Sequence, residues 1–213
     1  MRGIRRARIA LIAGLTGAAL FAALPGSASA GVLVASAPDC DNGATSQPFA
    51  QWGDDNSYFL APGGNFESGV AWSGGRVVSD QEPWQVAGSG SHAMVVSAGH
   101  SAVSPTMCVG LENPTMRFFT HRSGGGLLAA ASTLTITARV ETSLGLVVEV
   151  PVVGAITGLT NGTSWKQTQQ QIVAASLLPL LPGEHTPIQF RLSAVGTADW
   201  VVDDVFVDPR YRG

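Results

Sequence analysis

Residues 132–140 read STLTITARV, and this strict alternation constrains the fold more than any other stretch of the chain. In an extended strand successive side chains point to opposite faces. Leu134, Ile136, Ala138 and Val140 therefore fall on one side, and Thr133, Thr135, Thr137 and Arg139 on the other. The run 187–195 repeats the pattern, with Ile188, Phe190, Leu192 and Ala194 opposed by Gln189, Arg191 and Ser193. Both predict half-buried strands with one apolar face and one solvated or groove-facing side. Further candidate strands lie at 69–79, 92–97, 106–109, 115–120, 145–153, 165–174 and 199–207. Turn chemistry separates them at Gly63-Gly64, Gly88-Ser89-Gly90, Asn113-Pro114, Gly124-Gly125-Gly126, Asn161-Gly162, Pro182-Gly183 and Gly196. Helical periodicity is almost absent beyond residue 30, although QQQIVAASLLPLLPG has room for one helical turn before Pro179. Short strands at this spacing predict an all-β sandwich or barrel. The 26 glycines and a charged content of 13% suit a turn-rich β domain.

The first thirty residues are expected to be a cleaved leader. Arg2, Arg5, Arg6 and Arg8 precede an apolar run from Ile9 to Leu24, which closes on Ala28-Ser29-Ala30. Cleavage there leaves Gly31 at the N-terminus of a secreted chain. The run is too short, and too soon followed by the cleavage signal, for membrane insertion. Four of the twelve basic residues lie in this leader, so eight remain against fifteen acids, a net charge of −7 with Lys166 as the one lysine. That balance excludes nucleic acid and anionic membrane as partners. The remaining 183 residues suffice for one buried domain, read as an arm over 31–61 and a β domain over 62–213. The oligomeric state expected by default is a monomer. Cys40 and Cys108 are an even count in an oxidising compartment and are expected to pair, a closure of about 4 kcal/mol in the chain-entropy model; two buried thiols are the alternative.

The chain closes on TADWVVDDVFVDPR, 197–210. Unbroken alternation would put Trp200, Val202, Asp204, Phe206 and Asp208 on one side and Val201, Asp203, Val205 and Val207 on the other. Two adjacent aspartates in an apolar strand are costly to bury unless each finds a partner. A cation, a backbone amide or an arginine would serve. Ca²⁺ suits such a place, because it takes carboxylate and backbone oxygens at irregular geometry. Arg117 is the rival partner.

Two motifs carry a resemblance. GGNFESGVAW over 63–72 and WVVDDVFV over 200–207 resemble the carbohydrate-binding modules of the galactose-binding-like group, across about residues 60–208. In its middle the chain looks like a subgroup of uncharacterised secreted proteins of high-GC bacteria. The resemblance implies a jelly-roll fold, a two-sheet antiparallel β-sandwich with Phe66 in the core. It also implies a structural Ca²⁺ held by Glu67 with Asp203 or Asp204. Solvated or amide-capped carboxylates are the plain structural alternative.

Other chemistries have weaker support. GHSAV at 99–103 lacks the final glycine of a serine-hydrolase elbow. DCDNG at 39–43 starts like a calcium loop but lacks its later ligands. No His or Cys spacing fits zinc, and His92, His121 and Arg122 read as loop-surface groups. A glycosidase needs two carboxyls across a cleft, and nothing outside the Glu67/Asp203/Asp204 set supplies a convincing second site. Trp52, Trp84 and Trp165 are candidates to stack against a pyranose ring, whereas Trp72 and Trp200, inside the two motifs, belong to the core. The expected function is a secreted, non-catalytic module that binds extracellular or cell-envelope carbohydrate. The alternatives are a cell-surface structural or protein-interaction domain and, third, a small glycan-active hydrolase.

Overall fold

The alternating runs form two neighbouring strands. In the computed structural model, which describes residues 32–37, 43–70, 72–110, 115–142, 144–154, 156–173 and 185–208, thirteen strands occur among the described residues. The first six are β1 (Phe59–Leu60), β2 (Arg76–Val78), β3 (Ala93–Val96), β4 (Ser101–Val103), β5 (Met107–Gly110) and β6 (Thr115–Ser123). Next come β7 (Thr133–Glu141), β8 (Val147–Val153), β9 (Ile156–Thr157), β10 (Lys166–Gln167) and β11 (Gln171–Val173). The last two, β12 (His185–Val195) and β13 (Asp199–Asp208), are the longest.

Every strand pairing is antiparallel. One sheet runs β2-β3-β13-β6-β11, with β1 against β13 and β10 against β6. The other runs β8-β7-β12-β4, with β5 against β12 and β9 against β7, and a β8–β11 pairing joins the two. The core lies between them. Met94, Val96, Met116, Phe118, Trp200 and Val202 come from the first sheet. Leu134, Ile136, Ala138, Val140, Ile188, Phe190, Leu192 and Ala194 come from the second, the apolar set that alternation selects. The architecture is the expected two-sheet jelly-roll sandwich.

Two local readings need correction. Among the described residues the stretch 69–79 forms strand only at Arg76–Val78, because Gly69, Gly74 and Gly75 interrupt its apolar residues. The candidate helical turn before Pro179 lies in 174–184, outside the described residues, as does the leader; Gln171–Val173 ahead of it is strand, within the expected 165–174. The second correction concerns β13. Asp203 faces Phe119 on β6, yet Phe206 faces Arg117, so three steps on β13 match two on β6. One extra residue is inserted, a β-bulge. Asp204 sits in it with φ 48°, a left-handed conformation that aspartate tolerates better than most residues. The bulge resets the alternation. Trp200, Val202, Val205 and Val207 all reach the core, while Val201, Asp203 and Phe206 face the outside of the sheet.

That outer side is covered, not solvated. Phe49 and Tyr58 from the arm close over Phe119 and Phe206 to form a second, aromatic core. Phe49 meets Tyr58 and Phe206 edge-on, with ring centroids 5.4 and 5.8 Å apart, a preferred aromatic geometry. Truncating this layer should be as costly as truncating the main core. Phe49→Ala is expected to cost about 3–5 kcal/mol. Leu127→Ala, at a fully exposed side chain, should stay within about 0.5 kcal/mol. Urea denaturation of both variants reads the difference, and equal costs would remove the second core from the account.

Candidate functional site

The glycine turn at the start of the first motif is clamped to the bulge. Ala61 N donates to Val205 O at 2.9 Å and Val205 N to Gly64 O at 3.0 Å. A Cβ on Gly64 would lie 2.8 Å from Val205 O, so only glycine allows this approach. Phe66 follows with φ 55°, and its ring turns into the core edge-on to Trp72. Glu67 is thereby directed outward, along the side of the sheet where the two aspartates emerge.

Glu67, Glu82, Asp203 and Asp204 line one small pocket with Asn65, Gln81 and Gln85. Its free volume of about 10 Å³ is that of one water-sized sphere. Asp203 and Asp204 are each 4% exposed and Glu82 1%. Each carboxyl takes amide hydrogen bonds. Glu82 N donates to Asp203 Oδ2 at 3.2 Å, Ala87 N to Asp204 Oδ2 at 3.1 Å, and Trp84 and Val86 N to Glu82. Glu67 accepts from the amides of Ser91 and His92 and meets His92 Nδ1 at 2.8 Å.

The electrostatics divide these acids. Burial, reinforced by the Asp204 charge, pushes Asp203 up to about 8. Burial and the neighbouring Glu82 push Asp204 up to about 7. At Glu67 burial, which raises the value, is outweighed by His92 and the two amides together, which hold it below its ordinary value. Among the described residues no three His, Cys, Asp or Glu groups stand as a ready metal-ligand set. The donors are nevertheless hard oxygens only, which is calcium chemistry. Gln81 Oε1, on the same pocket, is buried without a partner. These oxygens are of the type that a hard cation takes.

Backbone strain gathers here too. Among the described residues, three non-glycine residues have positive φ: Phe66, Gln85 at 53°, and Asp204. Gln85 and Asp204 line the pocket and Phe66 sits between two residues that do. Each such conformation costs about 1–3 kcal/mol, and such residues cluster at ligand clamps. Glu82 was missed by the sequence reading; the one signal was an acid beside Pro83 in a turn-rich loop.

Arg117 is not the partner of the terminal aspartates. Its neighbour on β13 is Phe206, and its side chain runs to the far end of the outer face. There Nη1 donates to Asp54 Oδ2 at 2.6 Å and Nε to Thr168 O at 2.9 Å, with the guanidinium 4.4 Å over the Phe49 ring. Asp54 also accepts from Tyr58 OH at 2.7 Å and from Gln170 Nε2. Burial would raise Asp54, but the Tyr58 and Arg117 bonds prevail and hold it below its ordinary value. His121 and Arg122 also depart from the loop-surface reading, since both lie in β6. His121 Nε2 is 3.1 Å from Asp80, and Arg122 Nε donates to Gly158 O.

The structure brings the three candidate tryptophans to this same outer face. Trp52 and Trp84 meet perpendicularly at 5.4 Å, and both pack on Phe119. Trp165 lies edge-on to His121, 4.5 Å away, with Nε1 3.4 Å from Asp80. Trp52 also borders an open groove of about 630 Å³, with Asp54, Asp55 and Asn56 on the same wall and Gln169 and Gln170 opposite. Trp72 and Trp200 are in the main core. Cys108 is fully buried; Cys40 lies outside the described residues.

Among solved structures, the chain is similar to the CBM22-1 xylan-binding domain from Paenibacillus barcinonensis Xyn10C, at 13% identity and a TM-score of 0.47. The match covers 74% of this chain and 97% of that one. It is similar to family 16 carbohydrate binding module-2, at 12% identity and TM-score 0.41, over 70% and 98% of the two chains. A third is the family 11 module of the cellulosomal cellulase Lic26A-Cel5E of Clostridium thermocellum, at 12% identity and TM-score 0.42, over 73% and 96%. No protein-family model matches the sequence, and no curated protein does.

The arm's clasp predicts an acid dependence. A carboxylate lowered on folding stabilises the fold above its unfolded value, 3.8, and that stability is lost as pH falls through the lower folded value. Asp54→Asn should therefore be destabilising at neutral pH, with the gap to wild type shrinking below pH 3.8. Paired urea titrations across the acid range check this. A gap independent of pH would show that the charge of Asp54 contributes nothing.

Proposed function

We propose that the protein is a secreted, non-catalytic module that binds extracellular or cell-envelope carbohydrate, on a fold braced by a structural Ca²⁺. The carrying observation is the outer face of the first sheet. Trp52, Trp84 and Trp165 gather there, and Trp52 lines an open groove walled by amides and carboxylates. Aromatic rings offer an apolar surface to the C–H face of a pyranose, and planar amides and carboxylates suit its hydroxyls. The acid cluster supports a bracing role over a catalytic one, because its pocket is far too small for a sugar ring.

Glu67, Asp203 and Asp204, joined by Glu82, would hold the ion. Calcium would supply positive charge against Asp203 and Asp204, which burial otherwise drives to bind protons. A Cys40–Cys108 disulfide would tie the arm's start to β5, and cleavage at Ala30 would release the chain outside the cell.

A second reading, a cell-surface interaction domain, is favoured by one observation. Leu127 and Leu128 are exposed on the turn before β7, and Leu159 is exposed next to Gly158, which packs against Ala129 and Ala130 of that turn.

Retention of the purified protein on a panel of insoluble polysaccharides separates the readings. Binding to at least one is expected; release from all of them, with recovery of a partner protein instead, would favour the second. For calcium, saturation at a hundred times Kd is worth about 2.7 kcal/mol. Melting should thus rise by about 5–10 °C relative to chelator in a domain this size. Glu82→Gln with Asp204→Asn should abolish that response. An unchanged melting temperature in the wild type would remove the ion.

A further inference from the structure

The outer face offers several aromatic surfaces, and among the described tryptophans Trp52 is the one that lines the open groove. We propose that the groove between the arm and the β10–β11 segment is the ligand site, with Trp52 as its platform, and that it takes an uncharged, hydroxyl-rich chain in preference to an anionic one. This rests on the carbohydrate-binding reading and specifies it.

Size and preorganisation come first. A volume of about 630 Å³ lies within the range of small-ligand sites. The groove is built on a buried cation, since Arg117 is 7% exposed and is fixed from three sides by Asp54, Thr168 O and the Phe49 ring. Asp54 is fixed in turn by Tyr58 and by Gln170 from the opposite wall. One carboxylate therefore joins the arm, β6 and the β10–β11 segment, so both walls are in place before a ligand arrives.

The three tryptophans have different tasks. Trp165 is held by Asp80 and His121, away from the groove. Trp84 packs its ring on Phe119 and its edge on Trp52. Trp52, half-buried and braced by both, is the one that lines the opening.

Charge sets the ligand class. Arg117 is neutralised by Asp54 at 2.6 Å. Asp55 then leaves the groove with an excess negative charge, and Lys166 is turned to Thr160 O instead. A uronate or sulfate would meet like charge, and among the described residues that line the groove no free cation would receive it. A neutral polyol would meet Asn56, Gln169, Gln170 and Asp55, which together donate and accept.

The experiment is affinity electrophoresis and calorimetry of the full secreted chain. The probes are soluble neutral polysaccharides (a β-glucan, an arabinoxylan, a galactomannan) and anionic ones (polygalacturonate, alginate). Binding to a neutral chain is expected, with Trp52→Ala weakening it at least about tenfold. Gln169→Ala, at an exposed side chain that leaves the fold intact, should weaken it about 2- to 10-fold. Leu128→Ala should bind as wild type. Asp55→Lys should admit the anionic chains that the wild type refuses. If the wild type binds no glycan, the carbohydrate reading itself falls and this proposal with it. If it binds but neither Trp52→Ala nor Gln169→Ala weakens binding, the groove is wrong and the reading stands. Tighter binding to the anionic chains by the wild type would overturn the ligand class.

Discussion

The extra residue in β13 is the constraint on which the rest depends. A strand with unbroken alternation cannot send Trp200, Val202, Val205 and Val207 to the same core. It also cannot present two consecutive aspartates outward. The bulge achieves both at the cost of one left-handed residue, Asp204, and one interruption of the ladder with β6. Without it, Asp204 would point into an apolar interior with no partner, and Val205 would point out of it. The turn at Gly63-Gly64 depends on the same event, because Val205, the residue that follows the bulge, supplies both hydrogen bonds that clamp it.

A second asymmetry follows. Antiparallel sheets commonly bury one face and leave the other wet. The second sheet does this, with Thr135, Arg139, Glu149, Gln189 and Arg191 forming a polar outer surface in which Arg191 meets Glu149 at 2.7 Å. The first sheet does not. Phe119 and Phe206 emerge on its outer side, and apolar rings there need a cover, which Phe49 and Tyr58 provide. The groove exists because that cover stops short. The arm lies beside the β10–β11 segment without closing onto it, and Asp54 bridges the gap with polar contacts only.

The sequence carried the strands more plainly than their partners. Alternation in 132–140 and 187–195 assigned every inward residue of β7 and β12 correctly, since nothing interrupts the period there. The same rule failed on β13, because a period of two has no term for an inserted residue. The pair of aspartates in an apolar run was a warning without an address. Arg117 was matched to the wrong acid for a related reason. Sequence shows that a buried arginine needs an anion, but the anion came from Asp54, sixty-three residues away on a turn that reads as solvated. Glu82 gave almost no signal, as its role arises from a loop folding back onto β13. Trp72 and Trp200 lie in the core as the motifs implied, whereas the different tasks of the other three tryptophans depend on ring angles that composition does not contain.

The acid pocket and the groove are separate in volume but joined by one loop. Glu82 accepts the amide of Trp84, two residues on, and also that of Val86, so its carboxylate fixes the local chain. Trp84 then sets the angle of Trp52, whose ring it meets at 90°. Between a carboxyl beside the bulge and a ring at the mouth of the groove there is thus one short run of backbone and one aromatic contact. Rings packed this way move together or not at all, because an interior near crystal density leaves no slack to absorb a tilt. Whatever fixes Glu82 in the pocket it shares with Asp204 therefore fixes the platform as well.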